Sequence, residues 1–318
     1  MNKIAIMTSG GDAPGMNAAI RAVVRTGLHH GIEVYGIYEG FKGLCEGDIR
    51  LLQRADVNRI INRGGTVLGS ARYPSFREEA VQKEAVERLK AFGIEGLVVI
   101  GGDGSYQGAL ALHRLGIQTI GLPGTIDNDI ASSDVSIGFY TALETAMEAI
   151  DRLRDTSFSH QRCSVVEVMG RHCGDLALYA GIAVGSEFII TPETGVDVER
   201  TIQTLKEAAL RKKRHAIVVV TEKLLNAHQL ARDISEQTPY EARATILGHI
   251  QRGGSPVAFD RVMAIEMGEK AVELLRVSQG GKVLGLRGLN VVDIPIEEAL
   301  SMIKKPAQKR YGFMGLKS

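Results

Sequence analysis

The sequence predicts an α/β protein with mainly parallel sheets flanked by helices. Short runs rich in Ile and Val recur along the chain, and each ends at a Gly or Asp loop, as expected for strands buried on both faces. Segments with helical spacing of apolar residues lie between these runs, and such alternation is typical of βαβ units. Glycine makes up 37 of 318 residues, well above the average usage of about 7%. The excess indicates loops in which the backbone itself must be accessible.

The predicted strands are the uninterrupted apolar runs, because a strand covered on both faces carries few polar residues. In chain order they are 4–7, 34–37, 97–100, 119–122, 165–168, 188–191 and 217–221. The first helix is predicted from the i, i+4, i+7, i+8 spacing of Met16, Ile20, Val23 and Val24. Similar patterns predict the other helices at 78–92, 105–115, 140–154, 196–211 and 261–275.

Charge and hydropathy exclude several classes of protein. Lys and Arg number 38 against 37 Asp and Glu, whereas a dedicated nucleic-acid-binding protein has a basic excess. The longest apolar runs fall far short of the ~18 residues that a membrane span needs. The N-terminus leads straight from Lys3 into a strand, so we expect no signal peptide. From the balanced charge and the short apolar runs we expect neither a nucleic-acid partner nor a membrane. Three cysteines without a CxxC pair favour a reducing, cytoplasmic location.

Two glycine-rich loops that each follow a predicted strand are candidates for binding phosphates. The first runs from Ser9 to Gly15 before a helix, where backbone N–H groups can approach an anion, although a plain tight turn explains it equally well. The second, GGDGSYQG at 101–108, suits a phosphate chain whose Mg²⁺ is held by the carboxylate of Asp103. A structural turn is the alternative for this loop as well.

A third loop, GTIDND at 124–129, carries two carboxylates and a hydroxyl. An extended backbone would turn Thr125, Asp127 and Asp129 to one face, because side chains alternate along a strand. Such a group is costly unless a metal, a cation or a transferable proton lies beside it. Asp127 is therefore a candidate general base and Asp129 a second electrostatic group. The alternative is a surface turn.

Two groups of basic residues are candidate anion sites. The first is rich in Arg, the side chain suited to bidentate binding of phosphate. Its members are Arg162, Arg171, Arg243, His249 and Arg252. The second begins with the run RKKRH at 211–215. It could be completed by Arg21, Arg25, Arg54 and Arg154. Taken singly, each of these residues is as well explained as a solvated surface charge.

Seven motifs follow one another along the chain: SGGDAPGMNAAIR, INRGGTVLGSARYPSF, VVIGGDGSYQGA, GLPGTIDNDI, RDTSFSHQR, VVEVMGRHCGD and LGHIQRGGSP. In this order they resemble the bacterial ATP-dependent 6-phosphofructokinase family, from about residue 3 to about residue 275. The resemblance implies two Rossmann-like lobes, each a mainly parallel sheet flanked by helices, with the active site in the cleft between them. It also implies transfer of the γ-phosphoryl group of MgATP to O1 of fructose 6-phosphate, the committed step of glycolysis.

The same resemblance implies how the chain is divided and assembled. The larger, ATP-binding lobe would comprise residues 1–138 and about 251–301, and the smaller, fructose 6-phosphate-binding lobe about 139–250 and 302–318. In this family Arg162 and Arg243 reach into a neighbouring subunit, so we expect a homotetramer with shared active sites and allosteric regulation. The basic segment from Lys304 to Ser318 is expected to be a surface tail.

Matching positions imply a role for each site residue. Asp127 would be the general base, Asp103 the carboxylate linked to Mg²⁺, and Asp129 a further acidic group. The groups around the transferring phosphoryl would be Gly11, Arg72, Thr125 and Arg171. The rest of the nucleotide surface would be Phe41 (where Tyr is usual), Tyr73, Arg77, Gly104, Ser105 and Gly108. The sugar would be contacted by Met169, Gly170 and Glu222. The 6-phosphate would be bound by Arg162, Arg243, His249 and Arg252.

The second basic group resembles the family's allosteric pocket for ADP or GDP, or for phosphoenolpyruvate. The matching positions are Arg21, Arg25, Arg54, Asn58, Arg59, Arg154, Gly185, Glu187, Arg211, Lys213 and His215. Two of them depart from the pattern: Arg59 replaces an acidic residue, and Asn58 replaces a smaller one. The added positive charge would favour a more anionic effector, and we expect phosphoenolpyruvate still to bind.

Two positions bear on the phosphoryl donor. Pyrophosphate-dependent relatives typically carry Asp and Lys where this chain has Gly104 and Gly124. An Asp at the first position would crowd and repel the α-phosphate of ATP, so two glycines that leave this volume open predict ATP as the donor.

Two other functions compete with this one. A GGDG-type NAD or lipid kinase would not carry TIDND together with GHIQRGG. A catalytically silent regulatory or sugar-phosphate-sensing paralogue would have lost Asp127, Thr125 or Arg171, and all three are present.

Overall fold

The computed structural model describes residues 1–304, which fall into two compact units. The first unit comprises Met1–Ile126, Ile130–Thr141 and Arg252–Lys304. The second comprises Asp127–Asp129 and Ala142–Gln251. The chain therefore passes from one unit to the other within the TIDND motif, directly before the candidate base.

Besides the assignment of 127–129 to the second unit, these boundaries differ from the expected lobes at two further places. The chain leaves the first unit after Thr141 rather than at 138. Residues 302–304 belong to the first unit and not to the second, because the Lys304 ammonium donates to the carbonyl oxygens of Ile130 at 3.3 Å and Ser133 at 2.9 Å. The remainder of the predicted tail, residues 305–318, lies outside the described residues.

All the predicted strands and helices are present, and further elements that the sequence pattern did not predict lie among them. The strands are β1 (Lys3–Thr8), β2 (Glu33–Ile37), β3 (Ile49–Leu51), β4 (Gly96–Gly101), β5 (Gln118–Pro123), β6 (Arg162–Val168), β7 (Phe188–Ile190), β8 (Ala216–Thr221), β9 (Glu241–Ile246), β10 (Lys282–Arg287) and β11 (Asn290–Pro295). The helices are α1 (Met16–His29), α2 (Gly40–Glu46), α3 (Glu79–Ala91), α4 (Asp103–Arg114), α5 (Phe139–His160), α6 (Asp175–Ala183), α7 (Val198–Leu210), α8 (Ala227–Gln237), α9 (Ala258–Arg276) and α10 (Ile296–Ser301). Two 3₁₀ turns lie at Pro74–Arg77 and Gly248–Gln251.

The first unit is built on a seven-stranded sheet with the order β11-β10-β5-β4-β1-β2-β3. Its central strands are parallel, and the two edge strands β3 and β11 are antiparallel to their neighbours. β4 is buried throughout, since helices cover both faces of a parallel sheet. The loops that follow β1, β4 and β5 therefore lie along one edge of this sheet, where α/β proteins bind their ligands.

The second unit contains a four-stranded parallel sheet with the order β7-β8-β6-β9. Val165, Val218 and Val220 pack against Leu230 and Ile234 of α8 to form its core. The prediction of an α/β protein with mainly parallel sheets is confirmed.

Two further observations concern the described part of the chain. None of its helices is both long enough and apolar enough to cross a membrane. Cys45, Cys163 and Cys173 are free thiols, and burial raises the pKa of Cys45 to about 11. A thiol with so high a pKa is a weak nucleophile at neutral pH.

Candidate active site

In the first unit, the loops after β1 and β4 are joined by hydrogen bonds. The backbone N–H of Ser9 donates to the carbonyl of Ile100 at 2.9 Å, and the hydroxyl of Ser105 donates to the carbonyl of Ser9 at 3.2 Å. A side chain at Gly101 would overlap both serines. The two glycine-rich loops thus form one surface, and Ser105, which is buried, holds it together.

Two hydrogen bonds join the segment before Arg72 to the C-terminal end of β1 and to the loop that follows it. The hydroxyl of Thr8 donates to the carbonyl of Gly69 at 2.7 Å, and the hydroxyl of Ser70 donates to the carbonyl of Gly10 at 2.6 Å. Arg72 follows two residues later and is exposed. Its guanidinium is therefore carried by a backbone of fixed position beside the first glycine loop.

The second glycine loop presents a carboxylate and an open backbone. Asp103 is the first residue of α4 and is exposed, and Gly104 follows it. A Cβ atom placed at Gly104 would have no other atom within 4 Å. The N-terminal N–H groups of α4 and this open volume suit the phosphates of a nucleotide.

Gly124 does not leave such a volume, contrary to the expectation for the two glycines. A Cβ atom at Gly124 would lie 2.9 Å from side-chain atoms of both Ile100 and Met16. The space beside it is filled by the core of the first unit, so packing is sufficient reason for a glycine at this position.

Phe41 and Gly108 are also explained by packing. The ring of Phe41 is buried in the core and stacks on Phe76, with 4.2 Å between centroids. A side chain at Gly108 would overlap the Phe41 ring. Their contact with a nucleotide stays a prediction, as does that of Tyr73 and Arg77, which border the first 3₁₀ turn.

Arg252 lies in the first unit, whereas the other three residues expected around the 6-phosphate lie in the second. A Cβ atom at Gly11 would be 2.8 Å from Nη1 of Arg252, so the guanidinium lies against the bare backbone of the first glycine loop. Thr125 is the last candidate site residue of the first unit before the chain enters the second. Its carbonyl accepts a hydrogen bond from the hydroxyl of Ser136 at 2.7 Å.

In the second unit, the candidate base lies beside an arginine. Nε of Arg171 is 3.6 Å from Oδ2 of Asp127, whose side chain is 4% exposed against 45% for Arg171. Arg171 and the preceding Gly170 both have positive φ, at 53° and 138°. The turn is closed by Cys173 N–H, which donates to the carbonyl of Gly170 at 2.9 Å. A strained turn thus directs a cation toward the one nearly buried carboxylate of the TIDND motif, which fits a functional site.

The expected sugar-binding residues lie at the ends of β6 and β8. Oε1 of buried Gln251 accepts a hydrogen bond from Met169 N–H at 3.3 Å, and its amide donates to the carbonyl of Gly248 at 3.0 Å. This brings the turn that carries His249 to the end of β6. The N–H of Glu222 donates to the carbonyl of Val168 at 2.8 Å, which places Glu222 next to Met169.

Arg162 and Arg243 lie together around a carboxylate. Arg162 opposes Glu241 in the register of β6 and β9, and its Nε donates to Glu241 at 3.0 Å. Nη2 of Arg243 donates to the same carboxylate at 2.9 Å. The hydrogen bonds from Arg243 and then Arg162 lower the pKa of Glu241. The two arginines therefore share one carboxylate as their partner, and their binding of a phosphate stays a prediction.

Sequence analysis missed Glu167, a carboxylate within the apolar strand β6. Burial is the largest cause that raises the pKa of the Glu167 carboxyl, and the negative charge of Glu222 raises it further. The charge of His228 lowers it. The signal was present in the sequence, because an acidic residue inside the run VVEV is unusual in a buried strand.

The expected effector residues are divided between the units, and each part is cationic. In the first unit, burial lowers the pKa of Arg21 and the neighbouring Arg25 and Arg54 lower it further. Arg59 is exposed and has a left-handed backbone, with φ 59°.

The second unit supplies the remaining members, Arg154, Gly185, Glu187, Arg211, Lys213 and His215. Glu187 pairs with Lys213, although its side chain is only 7% exposed. Burial is the largest cause that lowers the pKa of His215, and Lys213 and Arg154 lower it further while Glu187 raises it. Within this unit, Lys213 thus pairs with the Glu187 carboxylate, and His215 lies near enough to both for their charges to act on it.

One family model and the curated relatives described below match most of this chain. The family model described as phosphofructokinase matches residues 3–275. The ATP-dependent 6-phosphofructokinase of Vibrio cholerae is 57% identical over 308 residues, which cover 97% of this chain and 96% of that protein. The protein with the same description from Photobacterium profundum is 56% identical over 309 residues, covering 97% of each chain.

Solved structures agree on the fold. A phosphofructokinase from Saccharomyces cerevisiae has a TM-score of 0.86 and 38% identity, covering 94% of this chain, which spans only 45% of that longer chain. A pyrophosphate-dependent phosphofructokinase from Marinobacter aquaeolei has a TM-score of 0.85 over 97% of this chain and 86% of that one. Its identity is 22%, so it supports the fold alone.

Proposed function

The chain belongs to the phosphofructokinase family, and we propose that it transfers the γ-phosphoryl group of ATP to the 1-hydroxyl of fructose 6-phosphate. The observation that carries this proposal is the buried Asp127 carboxylate held 3.6 Å from the Arg171 guanidinium. Phosphoryl transfer requires positioning and charge neutralisation more than covalent chemistry by the protein. A carboxylate and a cation at one point supply a proton acceptor and a partner for the developing negative charge.

Asp127 acts on the acceptor hydroxyl. As the hydroxyl oxygen of the sugar bonds to the γ-phosphorus, its proton passes to a carboxylate oxygen of Asp127. The bond between the γ-phosphorus and the bridging oxygen breaks, and ADP leaves with that electron pair. Arg171 stabilises the charge on the equatorial phosphoryl oxygens, with Arg72, Thr125 and the backbone of Gly11 as further partners. Asp129 adds a second acidic group next to the base.

The nucleotide is proposed to bind the first unit at the loops after β1 and β4. The exposed Asp103 carboxylate is the proposed Mg²⁺ ligand. No group of three or more His, Cys, Asp or Glu side chains that could hold a metal exists within residues 1–304. A single carboxylate fits Mg²⁺ bound to ATP, because this ion takes one or two protein carboxylates together with substrate phosphates and waters. Bound there, the ion would neutralise charge on the β- and γ-phosphates.

The sugar phosphate is proposed to bind through Met169, Gly170 and Glu222, with its 6-phosphate held by the four basic residues named above. The pairing of Arg162 and Arg243 around the Glu241 carboxylate supports their affinity for an anion. By resemblance these two arginines serve a neighbouring subunit, and we therefore propose a homotetramer with shared active sites. Since ATP and sugar phosphates are cytoplasmic metabolites, we propose a cytoplasmic location.

The donor preference tests the proposed function directly. We expect formation of fructose 1,6-bisphosphate, followed in an aldolase-coupled assay, to be faster with MgATP than with magnesium pyrophosphate. The open volume at Gly104 supports this preference, since it leaves room for the α-phosphate. Faster turnover with pyrophosphate, or no turnover with either donor, would overturn the proposal.

The effector response is a second expected outcome. Phosphoenolpyruvate should shift the fructose 6-phosphate saturation curve, because Arg21 lies near enough to Arg25 and Arg54 for their positive charges to act on it, and such a cluster attracts an anion. The Arg59→Asp variant should respond more weakly, since a negative charge replaces an exposed positive one. Saturation curves with and without effector measure both. An unmoved wild-type curve would show that this cluster does not regulate the enzyme.

A further inference from the structure

We propose that Asn128 and Asp175 are positioning residues that hold the carboxylate of Asp127 in its reactive place. The inference rests on the proposed role of Asp127 as general base. All the residues involved belong to the second unit. Neither Asn128 nor Asp175 touches the reacting atoms in this scheme, because both act through the backbone and the neighbours of Asp127.

The first contact is a buried hydrogen bond. Nδ2 of Asn128 donates to Oδ2 of Asp175 at 2.8 Å, and the two residues are 2% and 5% exposed. Asp175 is the first residue of α6, where the helix dipole favours an ionised carboxylate. The bond is therefore charge-assisted and strong for its kind. It joins the residue after the proposed base to a helix of the same unit.

The second contact fixes the backbone of Asn128. Its φ of 53° lies in the left-handed region, which Asn tolerates better than most residues. Its carbonyl accepts a hydrogen bond from Sγ of buried Cys173 at 3.6 Å. Side chain and carbonyl are thus both held, and the direction of the preceding residue, Asp127, is defined by them.

The residues that hold Asn128 are continuous with the turn that presents Arg171. Cys173 closes that turn on Gly170, and the N–H of Gly174 donates to Glu193 at 2.9 Å. Segment 170–175 therefore contacts the motif three times, through Arg171 to Asp127 and through Cys173 and Asp175 to Asn128. One segment sets both the position of the base and the position of its cation.

The polarity of the pair provides a specific test. Asn128→Asp places a carboxylate against the Asp175 carboxylate, and the two repel. Asp175→Asn removes the charge. The double exchange, Asn128→Asp with Asp175→Asn, restores one donor facing one acceptor with the direction reversed and with the same atoms in the same volume. A positioning role predicts that this exchange recovers activity.

Steady-state kinetics on the full-length enzyme should separate the outcomes. Asn128→Asp is expected to lower kcat by about 10²-fold, the scale for a misplacement near 1 Å, while KM for fructose 6-phosphate changes far less. The acidic limb of the kcat–pH profile should move to higher pH, because an added negative charge raises the pKa of the nearby Asp127. The double exchange should return kcat to within about tenfold of wild type and restore the profile.

Two controls keep the result interpretable. If Asn128→Asp does not fold, Asn128→Gly retains the left-handed backbone without the side-chain bond, and kcat should still fall by far more than KM for fructose 6-phosphate changes. Asp127→Ala, measured alongside, tests the proposed function independently. If Asp127→Ala loses turnover but the Asn128 variants keep wild-type kcat, positioning is refuted and the proposed function stands. Recovery of the melting temperature without recovery of kcat in the double exchange would also refute it.

Discussion

Replacing Asp127 by Ala is expected to lower kcat by about 10²–10⁴-fold or more, the usual contribution of a positioned proton acceptor. KM for fructose 6-phosphate should change much less, because the sugar and its 6-phosphate are proposed to be bound by other residues. The side chain is 4% exposed, so bulk water cannot readily replace it as the acceptor. The coupled assay under saturating MgATP measures both constants.

The Asp127→Asn variant separates loss of the base from loss of volume, since the amide fills the same space but cannot accept the proton as a carboxylate does. It should be as impaired as Asp127→Ala. Glu199→Ala is a matched control, because it removes an exposed carboxylate from α7 in the same unit. This control should retain wild-type kcat. Wild-type turnover in Asp127→Asn would contradict the assignment of the base.

The parallel core of the fold could be predicted because its strands are uniformly apolar. α6 could not, since its sequence DLALYAGIA is apolar around the whole circumference and gives no helical period. β9 was missed because it has no apolar run: this strand pairs on one side only, and all six residues of EARATI are partly or fully exposed. Both elements carry or support candidate site residues, so the missed elements matter for function.

The site was predictable where its residues are contiguous and less so where they are distant. The TIDND and GGDGS motifs each place carboxylate and hydroxyl side chains within a few positions of one another. The hydrogen bond between Asn128 and Asp175 joins residues 47 positions apart, so no local sequence pattern predicts it. Glycine was ambiguous for a related reason. Gly104 faces open space whereas Gly124 faces two core side chains. The sequence alone does not distinguish these two surroundings of a glycine.

This difference makes Gly104→Asp the second large effect that we expect. The Cβ atom of the new side chain would meet no atom within 4 Å, and an acidic residue in the first turn of α4 is compatible with the helix, so the fold should be preserved. A carboxylate near a bound phosphate would repel it by a few kcal/mol at an effective dielectric constant of about 20. The value of kcat/KM for ATP should therefore fall by roughly tenfold to a hundredfold.

The comparison of donors shows whether the loss is electrostatic and specific. Turnover with pyrophosphate, which has no α-phosphate carrying a nucleoside, should suffer less than turnover with ATP. Gly104→Ala adds volume without charge and should be milder, and added salt should partly restore ATP use in Gly104→Asp alone. Gly124→Ala, which meets Ile100 and Met16 at 2.9 Å, should instead lower the melting temperature and leave the ratio of the two donors unchanged. Equal losses for both donors in Gly104→Asp would mean that the space at this position does not select the phosphoryl donor.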